Sequence, residues 1–122
     1  MTTPQEELRN RTKTFAYRVI RLFRKLPKNA EAQIIGKQLL RSATSVAANY
    51  RAAGRARSQA DFVSKIGVVL EEADEALFWL ECLRDNAIMK PELLSELCEE
   101  AEQLVAIFSA SRETARAASA RN

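Results

Sequence analysis

Residues 45–83 read SVAANYRAAGRARSQADFVSKIGVVLEEADEALFWLECL, and this stretch predicts two helices joined by a short basic turn. Its first part, SVAANYRAA, has apolar residues at helical spacing on one face. Gly54 is expected to end that helix in the left-handed conformation that glycine often adopts at C-terminal caps. Ser58, followed by Asp61 three residues later, matches the pattern of a capping box at the start of the next helix.

Outward from this stretch, the same apolar spacing predicts one further helix on each side. Pro27 should end the first helix, because its ring is excluded from a helix interior, and Pro91 suits the first turn of the last helix. The tail after about Arg116 is expected to fray. Short connections predict an all-α, up-down-up-down antiparallel four-helix bundle over a single domain, residues 1–122. The predicted helices are about 5–26, 31–53, 58–86 and 91–116.

Composition narrows the class of protein. Only 3 Gly and 3 Pro occur in 122 residues, which disfavours a turn-rich β domain. No apolar run is long enough to cross a membrane, and the polar N-terminus does not resemble a signal peptide. A cytoplasmic protein without a membrane partner is therefore expected.

The positive and negative charges are segregated along the chain. Residues 1–67 hold 14 Lys and Arg against 4 Asp and Glu, whereas residues 68–122 hold 5 against 12. The basic half could bind a polyanion. Alternatively, basic helices could pack beside acidic helices, within or between subunits, and this second interpretation is favoured.

The sequence contains few residues suited to catalysis or metal binding. The chain has no histidine, which excludes histidine-based acid–base or triad chemistry. Di-metal carboxylate bundles use Glu-x-x-His pairs, so Glu72 and Glu75 are interpreted as partners of Arg41 or of a neighbouring helix. Cys82 and Cys98 lack zinc-site spacing and are expected to be free thiols. No catalytic residue, metal or cofactor is predicted.

Three sets of residues are candidates for binding or packing. A structural polar network is predicted from Arg41, Ser45, Asn49, Glu72 and Glu75. In it Ser45 and Asn49 bond a glutamate of the third helix, an interpretation favoured over hydrogen bonds to a ligand or RNA. A second apolar face on the third helix predicts an oligomer interface at Phe78, Trp79 and Cys82, which is favoured over a small-molecule pocket lined by the same residues. A basic strip could bind RNA or DNA phosphates; its residues are Lys37, Arg41, Arg51, Arg55 and Arg57.

The motifs of the second and third helices resemble those of the four helix bundle protein family, also called the 23S rRNA-intervening sequence protein family. That family tends to show Ser-Val/Ile-x-x-Asn after an Arg, then Ser-x-x-Asp-Phe, then a run ending in Trp-Leu. Here the matching residues are Arg41, Ser45, Val46, Asn49, Tyr50, Ser58, Asp61, Phe62, Lys65, Leu70, Glu72, Ala73, Glu75, Trp79 and Leu80. The departures from the family pattern are Ala52, Ser64, Glu71, Ala76 and Phe78.

The resemblance implies an up-and-down bundle that assembles as a ring-shaped homopentamer and has no known catalytic activity. The expected function is therefore that of a non-enzymatic, self-assembling binding or scaffold module. The alternative is a nucleic-acid-binding accessory protein that uses the basic surface. No other protein partner can be identified from the sequence.

Overall fold

The computed structural model describes residues 1–121 and contains four α-helices and, over that range, no β-strand. The predicted all-α fold with four helices is confirmed. The helices are α1 (Pro4–Arg24), α2 (Ala30–Ala53), α3 (Gln59–Asp85) and α4 (Pro91–Arg121).

A complete capping box starts α1. The Thr3 hydroxyl accepts a hydrogen bond from the backbone N–H of Glu6, and the Glu6 carboxylate accepts one from the N–H of Thr3. Two of the N–H groups that no helical carbonyl can reach are thereby satisfied. The helix ends at Arg24, two residues earlier than predicted, and Leu26 is buried beyond it.

The end of α2 differs from the prediction of a left-handed glycine. Gly54 caps the helix with φ −64° and ψ −13°, a right-handed conformation. The N–H of Arg55 donates to the carbonyl of Ala52 at 3.0 Å, and that of Ala56 donates to Ala53 at 3.1 Å. The chain therefore leaves α2 through a tighter 3₁₀-type turn, which requires no positive φ.

The predicted capping box of α3 is half formed. The Ser58 hydroxyl accepts from the N–H of Asp61 at 3.0 Å, as predicted. The Asp61 carboxylate, however, accepts from the N–H of Arg57 at 3.1 Å and from the ammonium of Lys65 at 2.6 Å. These contacts, with the Lys65 bond the stronger, lower the pKa of Asp61.

The fourth helix continues past the predicted point of fraying, to Arg121. Ala115 is buried, and its carbonyl accepts a hydrogen bond from the Gln59 side chain at 3.2 Å. This contact anchors the last turns to the start of α3, and the alanine-rich sequence that follows has high helix propensity. Asn122, the last residue of the predicted frayed tail, lies outside the described residues.

All four helices contribute to one apolar core. The rings of Tyr50 and Phe108 pack with their centroids 5.4 Å apart. The hydroxyls of the buried residues Thr12 and Ser42 donate to carbonyls of their own helices. Within residues 1–121 no buried side-chain nitrogen or oxygen lacks a partner. The largest fully buried side chains are Phe15, Phe108, Leu39, Ile66, Leu80, Leu83, Leu94 and Leu104.

Ion pairs show how α1 lies against α4. Both Nε and Nη2 of Arg11 donate to Glu100 at 2.8 Å, and Nη2 of Arg18 donates to Glu96 at 2.9 Å. Arg18 follows Arg11 along α1, whereas its partner Glu96 precedes Glu100 along α4. These two helices are therefore antiparallel, as the predicted up-down-up-down order requires. The pairs also match the favoured interpretation of the charge segregation, since a basic helix packs beside an acidic one.

Candidate interaction surfaces

Arg41 joins α2 to α3 through two carboxylates. Its Nη1 donates to Glu72 Oε2 at 2.9 Å, and its Nη2 donates to Glu75 Oε2. The indole N–H of Trp79 donates to the same Glu75 oxygen at 3.0 Å. The bond from Trp79, and then that from Arg41, lower the pKa of Glu75. Arg41 is thus already paired with two acids, which makes it a poor member of the proposed phosphate-binding strip.

Ser45 and Asn49 do not bond a glutamate of α3 among the described residues. The Asn49 amide instead donates to the Ser45 hydroxyl at 2.8 Å and to the Ser45 carbonyl at 2.9 Å. Both acceptors lie one turn earlier on α2, and Glu72 and Glu75 already accept bonds from other residues. This part of the predicted inter-helix network is therefore wrong, because the amide is satisfied within its own helix.

We expect Arg41→Met to lower the free energy of unfolding by about 0.5–1 kcal/mol at neutral pH, a small effect because the Arg41 side chain is 50% exposed. A lowered carboxyl pKa stabilises the fold above the ordinary glutamate value of about 4.3 and loses that contribution as the pH falls through the folded-state pKa. In urea titrations, the difference in free energy of unfolding between Arg41→Met and the wild type should therefore become smaller as the pH is lowered from 5 to 3.

The matched control is Lys37→Met, which removes an exposed cation one turn earlier on α2. Lys37 forms no ion pair within residues 1–121, so its replacement should change stability little at either pH. Equal effects of the two substitutions across the pH series would contradict a stabilising role for the Arg41 contacts.

A basic groove of about 590 Å³ runs between α1 and α2. Arg51 and Arg55 of the predicted strip lie on its α2 side, and Arg9 and Lys13 line its α1 side. No acidic side chain lines it in the part of the chain that the structure describes. We call this feature the cationic groove; its other lining residues are Asn10, Ala16, Tyr17, Ile20, Thr44, Ala47 and Ala48.

The structure divides the predicted basic strip. Lys37 is exposed on α2 but does not line the cationic groove. Arg57 lies in a separate recess beside Asp61 and Lys65, although Arg55 borders both. The α1 half of the groove was missed by sequence reasoning, although Arg9 and Lys13 are one turn apart and could have been found by that spacing.

Phe78 is the most exposed member of the predicted interface on α3. Its side chain is 52% exposed, and its ring meets Trp79 edge-on with the centroids 4.9 Å apart. Trp79 and Cys82 are only half-buried. We call the surface around Phe78 the Phe78 face; the residues three, four or seven positions away on the helix are Glu71, Asp74, Glu75, Glu81, Cys82 and Asp85.

Most of these neighbours of Phe78 carry a negative charge. Glu75 is paired with Arg41, and Asp85 with Arg84 at 2.8 Å. Glu71 and Asp74 are exposed, and Glu81 is half-buried. An exposed aromatic ring therefore stands in the middle of an acidic surface.

The remaining candidate chemistry is sparse. Cys82 and Cys98 are free thiols, and desolvation is the main cause that raises the pKa of each. Residues 1–121 contain no group of three or more His, Cys, Asp or Glu side chains placed to hold a metal ion. None of the helices described is both long and apolar enough to span a membrane.

The family model of the 23S rRNA-intervening sequence protein matches residues 5–110. The chain belongs to this family. A crystal structure from Bacteroides thetaiotaomicron, of a protein with unknown function from the S23 ribosomal protein family, is 30% identical to the chain, with a TM-score of 0.79. The match covers 85% of this chain and 96% of that one. No curated protein matches at a significant level.

Proposed function

We propose that this member of the family is a non-enzymatic protein that assembles with copies of itself and serves as a binding or scaffold module. The observation that carries the proposal is the Phe78 face, where an aromatic ring is 52% exposed and packs against a second aromatic residue. Exposed aromatic clusters of this kind are typical of the centres of protein interfaces.

Assembly would remove the exposed Phe78 ring from water. Full burial of a phenylalanine stabilises by about 1.5–3 kcal/mol, and Phe78, which is 52% exposed, would contribute about half of that. In a closed ring every subunit contributes this burial once, and the number of interfaces equals the number of subunits. A homopentamer is the assembly that the family resemblance implies.

Light scattering at micromolar protein tests the proposal. The wild type should have about five times the 13.7 kDa mass of one chain. Phe78→Glu should lower the mass to that of a smaller species, since it places a charge at the centre of the buried contact. A wild type that remains monomeric would refute self-assembly.

The control for this variant is Leu93→Glu, which puts the same charge in place of another exposed apolar residue, on α4. It should leave the mass unchanged. A loss of assembly in both variants would show that added negative charge, rather than the Phe78 face, causes the dissociation.

Nucleic-acid binding is the second candidate function, and the cationic groove is the observation that favours it. Four cations and no acidic side chain line the groove among the described residues, and such a surface attracts phosphates. Filter binding to RNA and DNA over a salt series tests this function. Affinity that falls steeply with salt supports it, and absence of binding at low salt excludes it.

A further inference from the structure

We propose that the cationic groove of one copy receives the Phe78 face of the next copy. The interface would then join two different surfaces, in a head-to-tail arrangement, rather than two identical ones. This inference rests on the proposed self-assembly and specifies which surfaces form the contact.

The two surfaces have opposite charges. Arg9, Lys13, Arg51 and Arg55 line the groove without an acidic neighbour among the described residues. The Phe78 face carries the exposed carboxylates Glu71 and Asp74, together with the half-buried Glu81. Complementary charge fixes the orientation of such a contact and suppresses alternatives.

The groove has room for an aromatic ring and apolar lining residues to receive it. Its volume is about 590 Å³, and its lining includes the small apolar residues Ala16, Ala47 and Ala48. Alanine side chains are small, so an incoming ring can approach the two helix backbones closely. Tyr17, 47% exposed, and Ile20 add apolar surface to the lining. Phe78 would thus find apolar contacts, while its acidic neighbours reach the basic rim.

A symmetric contact between two Phe78 faces is electrostatically unfavourable. Two Phe78 faces packed against each other would place the carboxylates of Glu71 and Asp74 from both copies in one interface. Like charges in an interface are strongly unfavourable. Within one chain the groove lies between α1 and α2, whereas Phe78 lies on the outer side of α3. The two surfaces therefore cannot meet in one copy, and a head-to-tail contact between copies can close into a ring.

The composition of the groove favours a protein occupant over a nucleic acid. Surfaces that bind single strands stack successive bases on several aromatic residues. Tyr17 is the one aromatic side chain that lines the groove in the described part of the chain, and Lys13 already lies over its ring at 5.8 Å. Nucleic acid in the groove is therefore an outcome to be tested against the contact between copies.

A mixing experiment tests the head-to-tail contact directly. Phe78→Glu disrupts the Phe78 face but keeps the cationic groove intact. The double variant Arg51→Glu/Arg55→Glu reverses two charges of the cationic groove but keeps the Phe78 face intact. Each variant alone should lose the wild-type assembly, with association weakened at least tenfold. An equimolar mixture should contain a species of twice the chain mass, because one intact interface remains between the two variants.

A charge swap provides a second readout in case a single open interface is too weak to detect. Glu71→Arg/Asp74→Arg should weaken assembly, as should Arg51→Glu/Arg55→Glu. All four substitutions in one chain should restore association by at least tenfold. Damage to the fold would not be reversed in this way.

The matched control is Lys28→Glu/Lys90→Glu, which changes the net charge by the same amount at two exposed positions outside the groove. It should assemble like the wild type. The inference is overturned if the groove variant keeps the wild-type mass while Phe78→Glu dissociates, a result that leaves self-assembly intact. It is also overturned if neither a mixed dimer nor a charge-swap rescue is found. A groove variant that assembles normally but no longer retains a single-stranded RNA homopolymer on a filter would identify nucleic acid as the occupant.

Discussion

Replacing Phe108 with alanine is expected to lower the free energy of unfolding by about 3–5 kcal/mol. The Phe108 side chain is fully buried on α4, and its ring packs on that of Tyr50 from α2. The substitution removes the transfer free energy of the ring and leaves a cavity between helices that cannot fully close. Because domain stabilities are commonly 5–15 kcal/mol, this single change would remove a large part of the total.

Urea unfolding at one fixed protein concentration measures this effect, since assembly makes apparent stability depend on concentration. Leu93→Ala is the control, because Leu93 is half exposed on the same helix. Its cost should stay within about 0.5 kcal/mol. Similar losses for the two variants would show that Phe108 is not a central packing residue.

Replacing Gly36 with leucine is expected to lower the free energy of unfolding by about 1–3 kcal/mol. Gly36 is buried on α2 where the end of α1 passes it. A Cβ at this position would overlap Cδ1 of Leu26 and lie 3.1 Å from Cδ1 of Phe23. A larger side chain therefore has to displace the side chains of Leu26 and Phe23, and Leu26 is itself buried.

The same substitution at Gly67 is the control. A Cβ there would meet only the Arg112 side chain, at 3.9 Å, an ordinary contact. Glycine in a helix interior is also unfavourable by about 1 kcal/mol relative to alanine, so Gly67→Leu should change stability little or raise it. Thermal or urea unfolding that ranks Gly67→Leu as the more harmful change would contradict the packing argument at Gly36.

Much of the fold could be predicted because its signals are local. The apolar spacing of α1 to α4, together with Pro27, Ser58 and Pro91, located each helix start within a residue or so. The predicted helix ends were less accurate, because tertiary contacts and alternative turn geometries determine where a helix stops. Gly54 could have ended α2 in either of two turn geometries. In α4 a bond from Gln59, 56 residues away, holds the carbonyl of Ala115 in the last predicted turn.

The candidate surfaces were harder to predict, because they depend on which helix lies beside which. Arg41 was predicted both as one cation of a strip with Arg51 and as a partner of Glu72 and Glu75, and only the packing of α2 on α3 shows that the two carboxylates hold it. Arg9 and Lys13 form one basic groove with Arg51 because α1 packs beside α2, a neighbour relation that the sequence does not give. Phe78 is different, because its apolar side chain on the polar side of α3 was visible in the helical spacing alone.

The hydrogen bond from the Trp79 indole to Glu75 has a spectroscopic consequence. Trp79 is the sole tryptophan in the sequence, so the whole indole fluorescence of the protein comes from one ring. That ring touches Phe78 on one side and, through Glu75, is connected to Arg41 of α2. The native chain thus carries an intrinsic optical probe at the junction of α2, α3 and the proposed contact with the neighbouring copy, and its emission can follow association without a dye or label.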